Sequence, residues 1–257
     1  MRFGICVDVT ADLDYLKSIG YDYVEFKLSD IAEMSEEDFE HVLSEVNRTE
    51  TYSETFNVSF PPNLNMVCKV DMDAIRSYCE KAFKRASLIG GKIVVVGSGK
   101  TRMIPDGYPV QEAEKNFCEV LRVMSDIAKK YGLLLAIEPL NRDTTNYINT
   151  LADGAGVCEK VNIDNVCLLV DLFHVHMNGE DLNDVRKYGK HIIHAHLARR
   201  NEDRGAPTMA DAESIREFTD ALRDIGYDER ITVEGRLRPD FEEKAKGTIE
   251  LLKHLYT

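Results

Sequence analysis

Leu133-Leu134-Leu135-Ala136-Ile137-Glu138 is the stretch that decides the fold: five consecutive apolar residues run straight into a carboxylate. The same arrangement returns three times further along the chain. Val166-Cys167-Leu168-Leu169-Val170 ends in Asp171, His191-Ile192-Ile193-His194-Ala195 ends in His196, and Ile231-Thr232-Val233 ends in Glu234. Runs that are apolar on both faces suit a parallel sheet covered by helices. A polar group directly after such a run is costly to bury without a partner. In a closed parallel barrel all four would emerge at one end, where side chains from different strands converge. Two Glu, one Asp and one His form an oxygen-rich set with one nitrogen, suited to a single divalent cation such as Mn, Mg, Co or Zn. The alternative is four unrelated strand ends, each hydrogen-bonded locally.

Outward from these runs the chain alternates strand and helix throughout. Apolar runs at 2–7, 21–28, 52–60, 92–97, 133–138, 166–171, 191–197 and 230–235 predict eight strands. Apolar spacing of three and four predicts helices over 72–89, 110–131, 211–225 and 239–255, with shorter ones at 11–19, 151–161 and 180–188. Ser35-Glu36-Glu37-Asp38 resembles a capping box and opens a further helix to about Arg48. Gly20, Gly90, Gly132, Gly189 and Gly226 each stand before a strand, where a helix end needs a left-handed residue. Leu16-Lys17-Ser18-Ile19-Gly20-Tyr21-Asp22 is echoed by Leu222-Arg223-Asp224-Ile225-Gly226-Tyr227-Asp228, both reading helix, glycine, strand. The expectation is a single α/β domain over residues 1–257, a (β/α)8 TIM barrel, close to the usual size of about 250 residues. An open doubly wound sheet is the other arrangement such alternation allows.

Composition narrows the function class. The 32 basic against 45 acidic residues give a net charge of -13, which opposes binding to nucleic acid or an anionic membrane. No apolar run reaches the length of a membrane span, and the N-terminal apolar stretch is too short for a signal peptide. The six cysteines are scattered with no CxxC pair and read as reduced thiols, so a cytoplasmic location is expected. A homo-oligomer is left open.

Glu138-Pro139-Leu140-Asn141-Arg142, followed by Asn149-Thr150, resembles the strand-five signature of the xylose-isomerase-like TIM barrels. That superfamily includes ketose 3-epimerases, hydroxypyruvate isomerases, inosose dehydratases and zinc-dependent abasic-site endonucleases. Asp171-Leu172-Phe173-His174, His194-Ala195-His196-Leu197 and Val233-Glu234-Gly235 resemble its motifs at strands six, seven and eight. Gly97-Ser98-Gly99, with Arg102, Pro105 and Gly107, is similar to a strand-four loop of its isomerase-like members. The resemblance implies that Glu138, Asp171, His196 and Glu234 hold one divalent metal. It also implies that Glu138 and Glu234 move protons, and that His174 and Arg204 contact substrate oxygens. The chemistry agrees, since a proton next to a carbonyl needs a base and the resulting enediolate needs positive charge nearby.

Three departures qualify the likeness. Ketose 3-epimerases carry a second glutamate six residues after the strand-five ligand, where Thr144 stands here. The loop Ala198-Arg199-Arg200-Asn201-Glu202-Asp203-Arg204 is more basic than the epimerase version, which opens the way to a phosphorylated or carboxylated substrate. The endonuclease branch needs histidines where Ser59-Phe60-Pro61-Pro62 and Gly97-Ser98-Gly99 stand, so DNA cleavage is not expected.

Other signals are weaker. Gly99-Lys100-Thr101 lacks the earlier glycine of a P-loop, since Val94 occupies that position, and Lys100 and Arg102 read as surface residues. His194 shares a strand face with His196 and reads as its supporting neighbour or a core residue. His176 is expected in the loop after strand six, and His41 and His254 in helices. Tyr15, Tyr21, Tyr23 and Phe26 read as core or helix-packing residues rather than a sugar platform. The expected function is a metal-dependent sugar or sugar-phosphate isomerase or epimerase acting on a small carbohydrate. A keto-polyol dehydratase using the same groups is the second reading. A non-catalytic metal- or sugar-binding barrel is the reading from another class, and the glutamate pair argues against it.

Overall fold

The structure is a computed structural model that describes residues 1–200 and 203–256. Asn201, Glu202 and Thr257 lie outside the described residues. Eight strands follow in order: β1 (Arg2–Cys6), β2 (Tyr23–Lys27), β3 (Ser53–Asn57), β4 (Ile93–Val96), β5 (Leu134–Ile137), β6 (Val166–Asp171), β7 (Ile192–Leu197) and β8 (Arg230–Val233). Each pairs in parallel with the next, and β8 returns to β1 through the partners Gly4↔Thr232 and Ile5↔Val233. The barrel is therefore closed, and the open doubly wound arrangement is excluded.

The helices that cover it are α1 (Leu13–Ile19), α2 (Leu28–Glu33), α3 (Glu36–Thr49), α4 (Met72–Leu88), α5 (Val110–Lys130), α6 (Leu151–Val161), α7 (Leu172–Asn178), α8 (Leu182–Tyr188), α9 (Ala212–Asp224) and α10 (Phe241–Tyr256). Their apolar faces close the space around the sheet. On α5, Ala113, Phe117, Val120, Leu121, Met124 and Ala128 are all fully buried, each large side chain contributing about 1.5–3 kcal/mol. Helix starts follow local chemistry. Thr150 and Asp153 form a reciprocal capping box on α6, whereas at α3 Asp38 bonds the Ser35 hydroxyl at 2.7 Å, leaving the box half built.

Two helices escape a periodicity reading. α2 springs directly from β2 and is only six residues long, too short to show a repeat. α7 begins at the residue after β6, and Asp171 caps it by accepting from Phe173 N at 2.8 Å. It places His176 in a helix rather than in the expected loop.

Alternation along the strands divides the apolar residues into two sets. Val94 and Val96 belong to the large core between sheet and helices. Ile93, Val95, Ala136 and Leu169 form a separate small cluster, the apolar part of the barrel lumen. The rest of the lumen is polar, with Tyr23, Glu25, Thr55, His194, His196 and Thr232 wholly buried. Gly4 makes room there: a Cβ at that position would stand 2.2 Å from the Tyr23 ring. Among the described residues no helix is long and apolar enough to cross a membrane, and all six cysteines are free thiols.

Candidate active site

At the C-terminal ends of the strands, Glu138, Asp171, His196 and Glu234 converge, each offering a ligand atom within 4.8 Å of the others. Local structure aims each one. Asp171 uses Oδ1 to cap α7, which leaves Oδ2 facing the centre. Glu234 is steadied through Oε1, which accepts from Asn57 Nδ2 at 2.9 Å. His196 Nδ1 lies 2.9 Å from Glu234 Oε2 and 3.4 Å from Glu138 Oε1. Glu138 fills a space kept open by Gly97, where a Cβ would stand 1.9 Å from Glu138 Oε2.

The loop after β5 explains the residues around Glu138. Asn149 Nδ2 donates to the carbonyls of Leu140 and Thr145 at 2.8 and 2.9 Å. Asn141 Oδ1 accepts from Thr144 N and Oγ1 at 3.0 and 2.8 Å. Arg102, expected at the surface, is wholly buried: it donates to the Val96 carbonyl at 2.9 Å and the Glu138 carbonyl at 2.5 Å. It clamps the ends of β4 and β5 together, directly beneath the Glu138 side chain. Burial lowers its pKa to about 10, so it stays charged at neutral pH.

His174 stands on the first turn of α7 and is buried. Its Nδ1 accepts from Asn141 N at 3.0 Å, so the ring hydrogen sits on Nε2. That nitrogen lies 3.8 Å from Asp171 Oδ2 and has no hydrogen-bond partner. Burial drives the His174 pKa down to about 4, which makes the ring a neutral donor. Arg204 donates from Nη2 to Asp171 Oδ2 and to Glu234 Oε2, and its guanidinium stacks 5.1 Å from the centre of the Phe173 ring. The other two arginines of that loop are elsewhere. Arg199 pairs with Asp211 at 3.3 Å beside a neighbouring cleft, and Arg200 is exposed.

The electrostatics of the four convergent groups are unequal. Burial pushes the Glu138 carboxyl up, and Glu234 and Asp171 add to this. Glu234 is held down by Arg204 and His196, although burial opposes them. His196 would be lowered by burial, but Glu25, Glu234 and Glu138 hold it well above the usual imidazole range. Cys6, which also borders the site, is pushed well up by burial and by Glu25 and Glu234.

A cation suits this donor set. Glu138 Oε1 and His196 Nδ1 are buried without any hydrogen-bond partner, which proteins rarely tolerate for nothing. The four ligand atoms, all within 4.8 Å of one another, belong to the residues that would hold one divalent cation. Glu234, with His174 and Arg204, lines a cleft of 1310 Å³ whose walls carry eight carboxylate side chains and four Lys or Arg. Tyr15, expected to pack in the core or against a helix, packs against the core and also borders this cleft, donating to the Glu242 carbonyl at 2.9 Å. Glu25, Asn57 and Arg102 are the supporting residues that a strand-end search passes over. Glu25 alone carries a signal, a carboxylate inside the apolar run Tyr23-Val24-Glu25-Phe26.

Fold and site together define a (β/α)8 barrel with a carboxylate-and-histidine centre at the catalytic face. Residues 13–257 match the family described as "Xylose isomerase-like TIM barrel", and the chain belongs to that family. It is 29% identical to an inosose isomerase of Bacillus licheniformis over 96% of this chain and 90% of that protein. It is 30% identical to a probable ketose 3-epimerase of Synechocystis over 74% of this chain and 66% of that protein. Among solved structures, a D-psicose 3-epimerase with D-tagatose from Clostridium cellulolyticum superposes with a TM-score of 0.84, covering 99% of both chains at 17% identity.

Proposed function

We propose that this protein is a divalent-metal-dependent sugar isomerase or epimerase that holds its cation with Glu138, Asp171, His196 and Glu234. Family membership and the names of the relatives support the class of enzyme. The observation that carries the mechanism is that Glu138 and Glu234 both approach one imidazole nitrogen, His196 Nδ1, at 3.4 and 2.9 Å. A carboxylate that would hold a cation through one oxygen keeps the other to take or return a proton, so one site carries two proton-transfer groups.

Glu234, held ionised, takes the proton from the carbon beside the carbonyl. The electron pair of that C–H bond moves into the carbon–carbon bond, and the carbonyl oxygen takes up the charge. Glu234 gives its proton to solvent to restore the pair, and Glu138, which takes up a proton from solvent on its free oxygen, returns that proton to the substrate. Delivered to the opposite face of the same carbon it inverts the centre; delivered to the neighbouring carbon, with a hydroxyl proton moving between oxygens, it shifts the carbonyl. His174 donates Nε2–H to a substrate oxygen, and Arg204 keeps the two carboxylates beside it oriented. When bound, a divalent cation supplies Lewis-acid polarisation of the carbonyl.

The substrate we propose is a neutral ketose or cyclic keto-polyol. A cleft with eight carboxylates against four cationic side chains repels a phosphate, and Arg199 and Arg200 are not in it. Incubation in deuterated water with neutral ketoses, keto-polyols and their phosphates, each with Mn, Mg, Co or Zn, tests the reading. Label beside the carbonyl of a neutral substrate is the expected result. Exchange with phosphates alone would overturn the substrate class. Absence of exchange from every compound, with the cation bound, would make the protein a binding barrel.

A further inference from the structure

Beneath the four convergent residues the barrel holds a carboxylate to which the proposed reaction gives no task. Glu25 lies in the middle of β2, inside the lumen, and is wholly buried. Its oxygens are fully engaged: Oε2 accepts from Thr55 Oγ1 at 2.5 Å and meets His194 Nε2 at 3.1 Å, while Oε1 meets His196 Nε2 at 3.0 Å. An ionised carboxylate only accepts, so the ring nitrogens facing it carry the hydrogens. With its hydrogen on Nε2, neutral His196 presents a lone pair at Nδ1, the atom that stands between Glu138 and Glu234.

The arrangement is braced on its far side. His194 Nε2 is also 3.3 Å from Thr232 Oγ1, which pairs with the Tyr23 hydroxyl at 2.8 Å. The two imidazoles pack edge to face with centres 4.9 Å apart. An apolar side chain would fill a barrel lumen at lower cost than a buried charge, as the opposite side of this lumen does with Ile93, Val95, Ala136 and Leu169. The charge at position 25 therefore answers to the ring it holds.

We infer that Glu25 is a positioning residue: it fixes His196 in the tautomer that turns Nδ1 into the site, and so sets the cation affinity without touching the cation. The inference rests on reading Glu138, Asp171, His196 and Glu234 as a cation site. Glu25, His194 and His196 also form a cluster of potential ligands, but their atoms already satisfy one another through hydrogen bonds.

Glu25→Gln keeps the shape and removes the charge. Wild type, Glu25→Gln, Glu25→Asp and Glu138→Gln are titrated with Co(II) and Zn(II), with circular dichroism as the check on folding. Long-range 1H–15N spectra of the histidine rings are recorded on the same samples. Glu25→Gln should weaken binding about 10- to 100-fold and mix the ring forms of His196, with Glu25→Asp recovering part of both. Wild-type affinity and an unchanged ring pattern in Glu25→Gln would overturn the inference, as would two cations per chain. Should wild type and Glu138→Gln both fail to bind either metal, the cation site falls, yet the wild-type ring still decides the role of Glu25. At a pH high enough for the ring to be neutral, a hydrogen on Nε2 of His196 alone upholds it, and a hydrogen on Nδ1 alone refutes it. That spectrum also decides the matter if Glu25→Gln does not fold.

Discussion

Glu138 occupies the space that any side chain at position 97 would need: a Cβ on Gly97 would stand 1.9 Å from Glu138 Oε2. The glycine at the end of β4 and the carboxylate at the end of β5 are thus one feature of the site. Gly97→Ala should displace Glu138 and weaken binding of a divalent cation by about 10- to 100-fold, the usual scale for a group that orients a ligand. The barrel should remain folded, because the change lies at a strand end. Equal affinity in calorimetric titrations of the two proteins would show that Glu138 is free to move aside.

Glu234→Gln keeps shape and an oxygen donor but removes the base. Turnover should fall by about 10²–10⁴, the contribution of general acid–base catalysis, with deuterium wash-in falling in parallel. Cation content has to be measured on the same sample, since losing the ion imitates losing the base. A variant that retains its metal and exchanges at the wild-type rate would reduce Glu234 to a ligand.

Cation binding should release protons. Without a cation, burial raises Glu138 to about 7, and His196 is held well above its ordinary value against the effect of burial. Both bind a cation only when deprotonated, so affinity should rise with pH through this range and fall as pH drops. Titrations at pH 7 in buffers of different ionisation enthalpy measure the number released. A pH-independent affinity with no proton release would contradict the assigned charges.

Arg102→Ala should destabilise the protein by about 2–5 kcal/mol. It leaves the Val96 and Glu138 carbonyls without their donor and opens a cavity in a fully buried place. Urea unfolding checks this. A loss below about 1 kcal/mol would mean that removing the buried charge offsets both penalties.

The sequence by itself determined the eight-strand alternation and singled out the four strand-end polar residues that converge, because both are local patterns. A run that is apolar on both faces reports burial on both faces, and a polar residue at its end reports where the strand leaves the core. The short helices α2 and α7 were illegible, since each starts at the residue after its strand with no break to separate it from the apolar run. Arg102 was read as a surface residue because nothing local distinguishes a charge that finds carbonyl acceptors from one that finds water. Arg199 and Arg200 stand near Arg204 in sequence, yet only Arg204 reaches the site carboxylates. Glu25 and Asn57 meet partners on distant strands that barrel closure brings together, whereas Gly97 meets Glu138 across the neighbouring β4–β5 pair. Which atoms of His196 and Glu138 face the centre was decided by tertiary structure, since hydrogen-bond direction depends on neighbours that sequence spacing does not record.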